Sequence, residues 1–213
     1  MQVAAVISAV SIPMFNILAV ISLTMFVEKE NSLGARLKSV LLNILKNPLI
    51  LGVVSGLICI GLRELQLRWF SEAVFSLKRD VGFAYSVLTQ LKSLTTPLSL
   101  IVLGSQFEFS AVKGLRKEIL VGTAWRTVLA PLFGIGLAIF LAARGVLVCG
   151  PYEIPALIAL FGSPVAVSSA VMAASMKNDT QLAAQLVVWT SVASIFTLFA
   201  QICILLYFGF ILL

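Results

Sequence analysis

Residues 154–176 read IPALIALFGSPVAVSSAVMAASM, an apolar run without a charged side chain that is interrupted near its middle by Gly162, Ser163 and Pro164. Proline lacks a backbone N–H and clashes with the carbonyl group four residues earlier, which here belongs to Leu160. In a lipid bilayer a freed carbonyl group needs another partner, which only a protein interior or a water-filled cavity supplies. The run therefore predicts a membrane-spanning helix that is broken or kinked at Pro164.

Two interpretations of this interruption are open. In the first, the helix is discontinuous. The half-helix that begins near Pro164 then directs unpaired N–H groups and about half a positive charge toward the middle of the bilayer, where they favour an anion. In the second, Pro164 only kinks a tightly packed helix, because residues 170–175 are rich in Ala and Ser, as helix interfaces often are. The first interpretation predicts a binding site, and the second predicts only a packing feature.

The composition places the whole chain in a membrane. Of its 213 residues, 60% are hydrophobic and 11% are charged, whereas soluble domains are roughly 45–50% apolar and 25% charged. A water-soluble protein is therefore excluded. At about 20 residues per crossing, the pattern predicts an all-α polytopic membrane protein with one transmembrane domain over residues 1–213. Its six transmembrane helices are expected near residues 3–27, 48–62, 81–107, 119–143, 154–176 and 182–213.

The residue types that are rare or absent exclude several functions. The chain has no histidine, which excludes a serine–histidine intramembrane protease and removes the commonest metal ligand. The three cysteines have no CxxC spacing, so neither a zinc site nor a disulfide framework is indicated. We therefore predict that the protein is not an enzyme and needs no metal or other cofactor.

The net charge of +6 reflects membrane topology, because the basic residues cluster in the short connections between the apolar runs. Lys and Arg are slightly more frequent in the first, third and fifth connections than in the second and fourth. Basic connections stay on the cytoplasmic side. The sequence therefore predicts a multi-pass protein of the cytoplasmic membrane with both termini outside, whose partner is the lipid bilayer and not nucleic acid.

Two charged residues fall inside predicted spans, and a charge at mid-bilayer costs at least about 2.5–3.5 kcal/mol. Lys92 lies in the first half of its run and can snorkel to the interface. Arg126 lies seven residues past Ile119, so it either snorkels as an anchor or is a buried functional cation. A buried Arg126 needs an acidic partner or an anionic substrate.

No carboxylate lies mid-span, because the acidic residues nearest the spans fall at segment ends; these are Glu108, Glu118, Glu153 and Asp179. A cation-coupled site built on Asp or Glu is therefore disfavoured.

Prolines lie near the middle of four runs, namely Pro13, Pro97, Pro131 and Pro164. Asn16 follows Pro13 by three residues, and its amide needs a hydrogen-bond partner or a ligand at that depth. Gln106, Gln185 and Gln201 are weaker candidates for ligand contact.

Several strings together resemble the auxin efflux carrier family, in particular its bacterial permeases. They are PMFN (13–16), NPLI (47–50), TPLSLIVLG (96–104), Arg126 with Pro131, and SPVAVSSAVMA (163–173). The resemblance covers nearly the whole chain. It implies a ten-helix transporter of two inverted five-helix repeats, in which the proline-broken fourth and ninth helices cross at the substrate site. The six spans then correspond to helices five to ten, and residues 154–176 to the ninth.

The resemblance also implies roles for individual residues. Pro164 marks the crossing point. Independently of the resemblance, proline lacks a backbone N–H and clashes with the preceding turn, so breaks or kinks are expected at Pro13 and Pro97 as well. Arg126 is implied as a scaffold cation beside the crossing. The residues implied to contact or border the substrate are Asn16, Ser105 or Gln106, Ser163, Val165 and Ser168.

The sequence departs from the family in length, since the first four helices are missing. We therefore expect a fragment, a chain whose start is wrongly assigned, or one half of a split carrier, with a second copy or a partner supplying the missing helices. The predicted function is a secondary transporter that moves a small organic anion, such as a dicarboxylate or an auxin-like weak acid, by alternating access. Membrane potential or protons would drive it. The alternative is a non-transporting membrane subunit or an inactive carrier fragment.

Overall fold

The computed structural model describes residues 2–25, 42, 44–70, 76–146 and 153–210. All regular structure in these ranges is helical, without a strand, which confirms the predicted all-α class. The helices are α1 (Gln2–Met25), α2 (Pro48–Phe70), α3 (Leu77–Asp80), α4 (Gly82–Gln106), α5 (Ala111–Gly114), α6 (Arg116–Ala124), a π-helical turn (Trp125–Leu129), α7 (Ala130–Ala143), α8 (Glu153–Gly162), α9 (Val167–Ser175) and α10 (Thr180–Tyr207).

The described helices are those of a polytopic membrane protein. Four are long and apolar enough to cross a bilayer, namely Ile50–Trp69, Gly82–Gln106, Arg116–Ala143 and Thr180–Tyr207. The pair α8 and α9 passes the same test together, as a fifth span that is bent by 44°. Helix α1 has 24 residues, Gln2–Met25. Most of the first basic connection, residues 28–47, lies outside the described residues.

Helix α2 continues past the apolar run at 48–62 and ends at Phe70. Its last turns carry charged side chains, including Arg63 and Glu64, which are exposed. Arg and Glu are good helix formers, so the helix needs no apolar side chains to continue. Helix α2 therefore reaches the length of a membrane span by continuing toward its C-terminal end, past residue 62.

The chain forms two compact units. One consists of Ser11–Leu100 and holds most of α1, α2, α3 and most of α4. In its connection before α4, Arg79 Nε donates to Asp80 Oδ1 at 2.8 Å. Hydrogen bonds from Arg79 and from the backbone N–H of Ser76 hold the pKa of the Asp80 carboxyl below its usual value. This charge pair is exposed and lies between two spans.

The other unit consists of Met1–Val10 and Ile101–Leu213. Its α10 is a continuous helix that packs against both halves of the bent pair. Toward its beginning it forms a buried cluster with α9 and the end of α4, made of Leu103, Ala170, Ala184 and Val187. Toward its end it forms a second cluster with α7 and α8, made of Ile135, Ile154, Ile158 and Leu205.

The π-helical turn between α6 and α7 has a local cause. Pro131 cannot donate a hydrogen bond to the carbonyl group of Thr127, four residues earlier. Just before this proline the backbone widens, and the N–H of Ala130 donates to the carbonyl of Trp125, five residues earlier. The widened turn carries Arg126.

Candidate functional site

The predicted interruption is present between α8 and α9. Helix α8 ends at Gly162, α9 begins at Val167, and residues 163–166 have no regular structure. The second half-helix thus starts three residues later than the expected position near Pro164. Proline disfavours the helical conformation in the residue before it, here Ser163. Ala166 is the N-cap residue of α9 and has the extended conformation usual at that position, with φ −68° and ψ 142°. The helix resumes only after this extended residue.

Ser163 supplies a hydrogen-bond donor for the backbone carbonyl group that Pro164 leaves without one. Its hydroxyl group donates to the carbonyl of Leu160 at 3.3 Å, which is the carbonyl that the proline frees. The same oxygen accepts a hydrogen bond from Arg126 Nη2 at 3.2 Å. The serine therefore closes the end of α8 and links it to the π-helical turn.

Helix α10 also forms a hydrogen bond with the interruption between α8 and α9. The backbone N–H of Val165 donates to Thr190 Oγ1 at 3.1 Å, and this hydroxyl donates to the carbonyl of Leu186 at 2.6 Å. Thr190 is completely buried. Because Val165 is paired in this way, the N–H groups that α9 offers lie further along, at Val167 and Ser168, and α9 has no side-chain cap. Ser168 is exposed.

Gln201, in the second half of α10, lies beside the interruption and contacts residues on two other helical segments. Its Nε2 donates to the carbonyl of Thr127 at 2.9 Å, the carbonyl that Pro131 cannot reach. Its Oε1 is buried and has no partner among the described residues. A Cβ added at Gly162 would lie 2.8 Å from this oxygen, so the glycine lets α8 approach α10 closely. The sequence offers a signal for the free carbonyl, in Pro131, but none for the glutamine that satisfies it.

Arg126 is the cation of this site. It is partly buried, and its structural partner is the neutral hydroxyl of Ser163. Among the described residues, no carboxylate forms an ion pair with it. Thr123, one turn earlier on the same face, has a buried hydroxyl without a described partner. The sequence leaves two alternatives for the compensation of a buried Arg126, an acidic partner or an anionic substrate. Within the described chain, no acidic partner is present.

The end of α4 lies beside the start of α9. Leu103 is buried in the cluster against which Val165 and Val167 pack. Ser105 is exposed and its hydroxyl donates to the carbonyl of Val102 in its own helix at 2.8 Å. Gln106 is partly buried, and its Oε1 has no described partner. Of the two residues predicted at this position, Gln106 is the one with an unused polar atom.

The other predicted residues belong to the unit Ser11–Leu100. Pro13 and Pro97 lie inside α1 and α4, which both continue through them. Asn16 is partly buried in α1, and Lys92 is exposed in α4. The contribution of Asn16 to a substrate site stays a prediction from the resemblance, and the snorkelling of Lys92 stays a prediction from its position in the run.

The polar groups that meet at the break are a guanidinium group, hydroxyl groups, an amide and backbone N–H groups. Of these groups, the guanidinium group and the backbone N–H groups are hydrogen-bond donors, and charged donors form the stronger hydrogen bonds with anions. A family model described as membrane transport protein matches residues 5–202. No curated protein and no solved structure matches the chain. A family match over nearly its whole length, on a chain of apolar helices with one proline-broken span, shows that this protein belongs to the membrane transport protein family of the auxin efflux carriers.

Proposed function

We propose that the protein moves small organic anions, such as dicarboxylates or auxin-like weak acids, across the cytoplasmic membrane by alternating access. One observation carries the proposal: Arg126 donates to Ser163 at the break of an uncharged span, and no described carboxylate neutralises it. A cation inside the apolar part of a membrane is costly unless an anion compensates it. A transported anion supplies that charge.

The chemistry of the guanidinium group favours carboxylates. Its planar fork of N–H donors matches the two oxygens of a carboxylate group, and Ser163 accepts from one of its nitrogens. The positive end of α9 lies across the break, where the N–H groups of Val167 and Ser168 add to the same potential. The amide nitrogen of Gln106 would donate to the anion, and Ser163, whose hydroxyl proton is directed at the carbonyl of Leu160, would border it. No cofactor takes part in this proposal.

The bent pair supplies the moving element in this proposal. Residues 163–166 separate two half-helices that are inclined by 44°, whereas α10 is continuous beside both. Non-helical backbone at membrane depth is tolerated where protein or a water-filled cavity surrounds it. Rocking at the break would open the site to one side and then to the other, driven by membrane potential or protons.

Charge selectivity tests the proposal directly. Membrane vesicles containing the protein should take up labelled malonate in a saturable way and should not take up malonamide, its neutral diamide of similar shape. The reason is that only the dicarboxylate compensates the charge of Arg126. Uptake is measured against vesicles without the protein. Equal uptake of both compounds contradicts an anion site, and uptake of neither favours a non-transporting subunit.

Replacing Pro164 by alanine should lower malonate uptake at least about 10-fold, because the new N–H can restore the helical bond that proline forbids at a cost of about 3 kcal/mol. The amount of protein in the membrane should not change. Pro155→Ala is the matched control, since this proline lies in the first turn of α8, where its missing N–H has no helical partner. Unchanged uptake by Pro164→Ala would show that the break is not needed.

A further inference from the structure

Helix α10 contains three glutamines with buried amide oxygens, and the one in its first turn, Gln181, leaves that oxygen without a described partner. Gln185 is satisfied at both ends: its Nε2 donates to the carbonyl of Glu108 at 2.8 Å, and its Oε1 accepts from Trp189 Nε1 at 3.1 Å. Gln201 donates to the carbonyl of Thr127, but its buried Oε1 has no partner in the described part of the chain. Buried acceptors are normally paired. We therefore expect Gln201 Oε1 to accept a hydrogen bond from a group outside the described part of the chain.

The orientation of the Gln201 amide follows from its surroundings. If the amide were reversed, its oxygen would face the carbonyl oxygen of Thr127 and the hydrogen bond at 2.9 Å would be lost. The nitrogen must therefore point at Thr127, and the oxygen must point at Gly162. The atom of Gln201 that faces Gly162 is therefore Oε1, which can only accept a hydrogen bond.

This acceptor flanks the proposed anion site. The oxygen lies 2.8 Å from the place that a Cβ on Gly162 would occupy. The next residue, Ser163, receives the hydrogen bond from Arg126. The cationic donor Arg126 and the neutral acceptor Gln201 Oε1 thus lie beside adjacent residues, Ser163 and Gly162.

We propose that Gln201 Oε1 accepts a hydrogen bond from a hydroxyl or N–H group of the transported anion. The site would then prefer carboxylates that carry such a donor next to the carboxylate over those that lack it. A site built to pair with a hydroxyl group rejects the analogue without it, because its own polar group is then left unpaired. This inference rests on the proposed anion transport and adds the residue that determines specificity.

Tartronate and malonate test the inference, since they are dicarboxylates of equal length that differ by one hydroxyl group. Each is titrated against the purified protein, and the rise in unfolding temperature gives its affinity. We expect tartronate to bind about 10-fold more tightly than malonate. In Gln201→Met the two should bind equally. Gln201→Asn, which withdraws the amide by one methylene, should reduce the preference and covers the case in which the methionine variant does not fold.

Gln185→Met is the matched control, because it removes a buried glutamine of the same helix that is already paired at both ends. This variant should be less stable but should keep the preference for tartronate. Equal binding of the two anions by the unaltered protein, or a preference that survives in both Gln201 variants, overturns the inference alone. Binding of neither anion contradicts the anion site itself, and the inference with it.

Discussion

Arg126→Met should lower malonate uptake by about 10-fold to 100-fold without removing the protein from the membrane. A hydrogen bond to a charged group contributes about 1.5–3 kcal/mol, and each 1.4 kcal/mol corresponds to a factor of ten in affinity. Methionine keeps the length and apolar character of the side chain but removes the charge that the anion compensates. Uptake of labelled malonate into vesicles measures the effect, with the protein content of the vesicles determined in parallel.

Two further variants make this experiment specific. Arg144→Met removes a cation at the end of α7, where the guanidinium group lies 5.0 Å from the centre of the Phe140 ring, and it should leave uptake unchanged. Arg126→Lys keeps a positive charge but loses the planar fork, so its uptake should fall between those of the original protein and Arg126→Met. If Arg126→Met and Arg144→Met have the same uptake, Arg126 has no special role.

The second large effect is expected on stability. In Gly134→Ala the new Cβ would lie 2.6–2.7 Å from three ring atoms of Phe161 in α8, closer than packed atoms approach. The ring of Phe161 is rigid, so α7 and α8 must move apart to make room for the new Cβ. Overpacking of this kind lowers the free energy of unfolding by about 1–3 kcal/mol. The unfolding temperature of the purified protein should fall. Uptake should fall as well, because Phe161 directly precedes Gly162 at the break.

Gly136 provides the control within the same helix. It is exposed, and a Cβ there meets no atom within 4 Å. Gly136→Ala should therefore keep or slightly raise the stability, since alanine is favoured over glycine in helices by up to about 1 kcal/mol. An unfolding temperature for Gly134→Ala equal to that for Gly136→Ala would contradict close packing of α7 against α8.

Close packing explains why part of the site was not foreseen. From the sequence alone Gln201 is a weaker candidate, because nothing near it in the chain marks its role. Its importance comes from Thr127, 74 positions away, and from Gly162 on a third helix. The pairing of Val165 with Thr190 likewise joins the break to α10, across 25 positions of the chain. Such partners are set by which helix faces meet, and apolar periodicity does not encode that when helices are apolar all round.

The sequence by itself determined the membrane class, the place of the broken span and the carbonyl group that Pro164 frees. Composition, run length and the missing N–H of proline are local properties of the chain, and each has a fixed physical consequence. Only the tertiary structure decided that α9 begins at Val167 and that Ser163 satisfies the freed carbonyl while it accepts from Arg126. Those outcomes depend on packing between helices, because a buried polar group takes whichever partner the fold brings within hydrogen-bond distance.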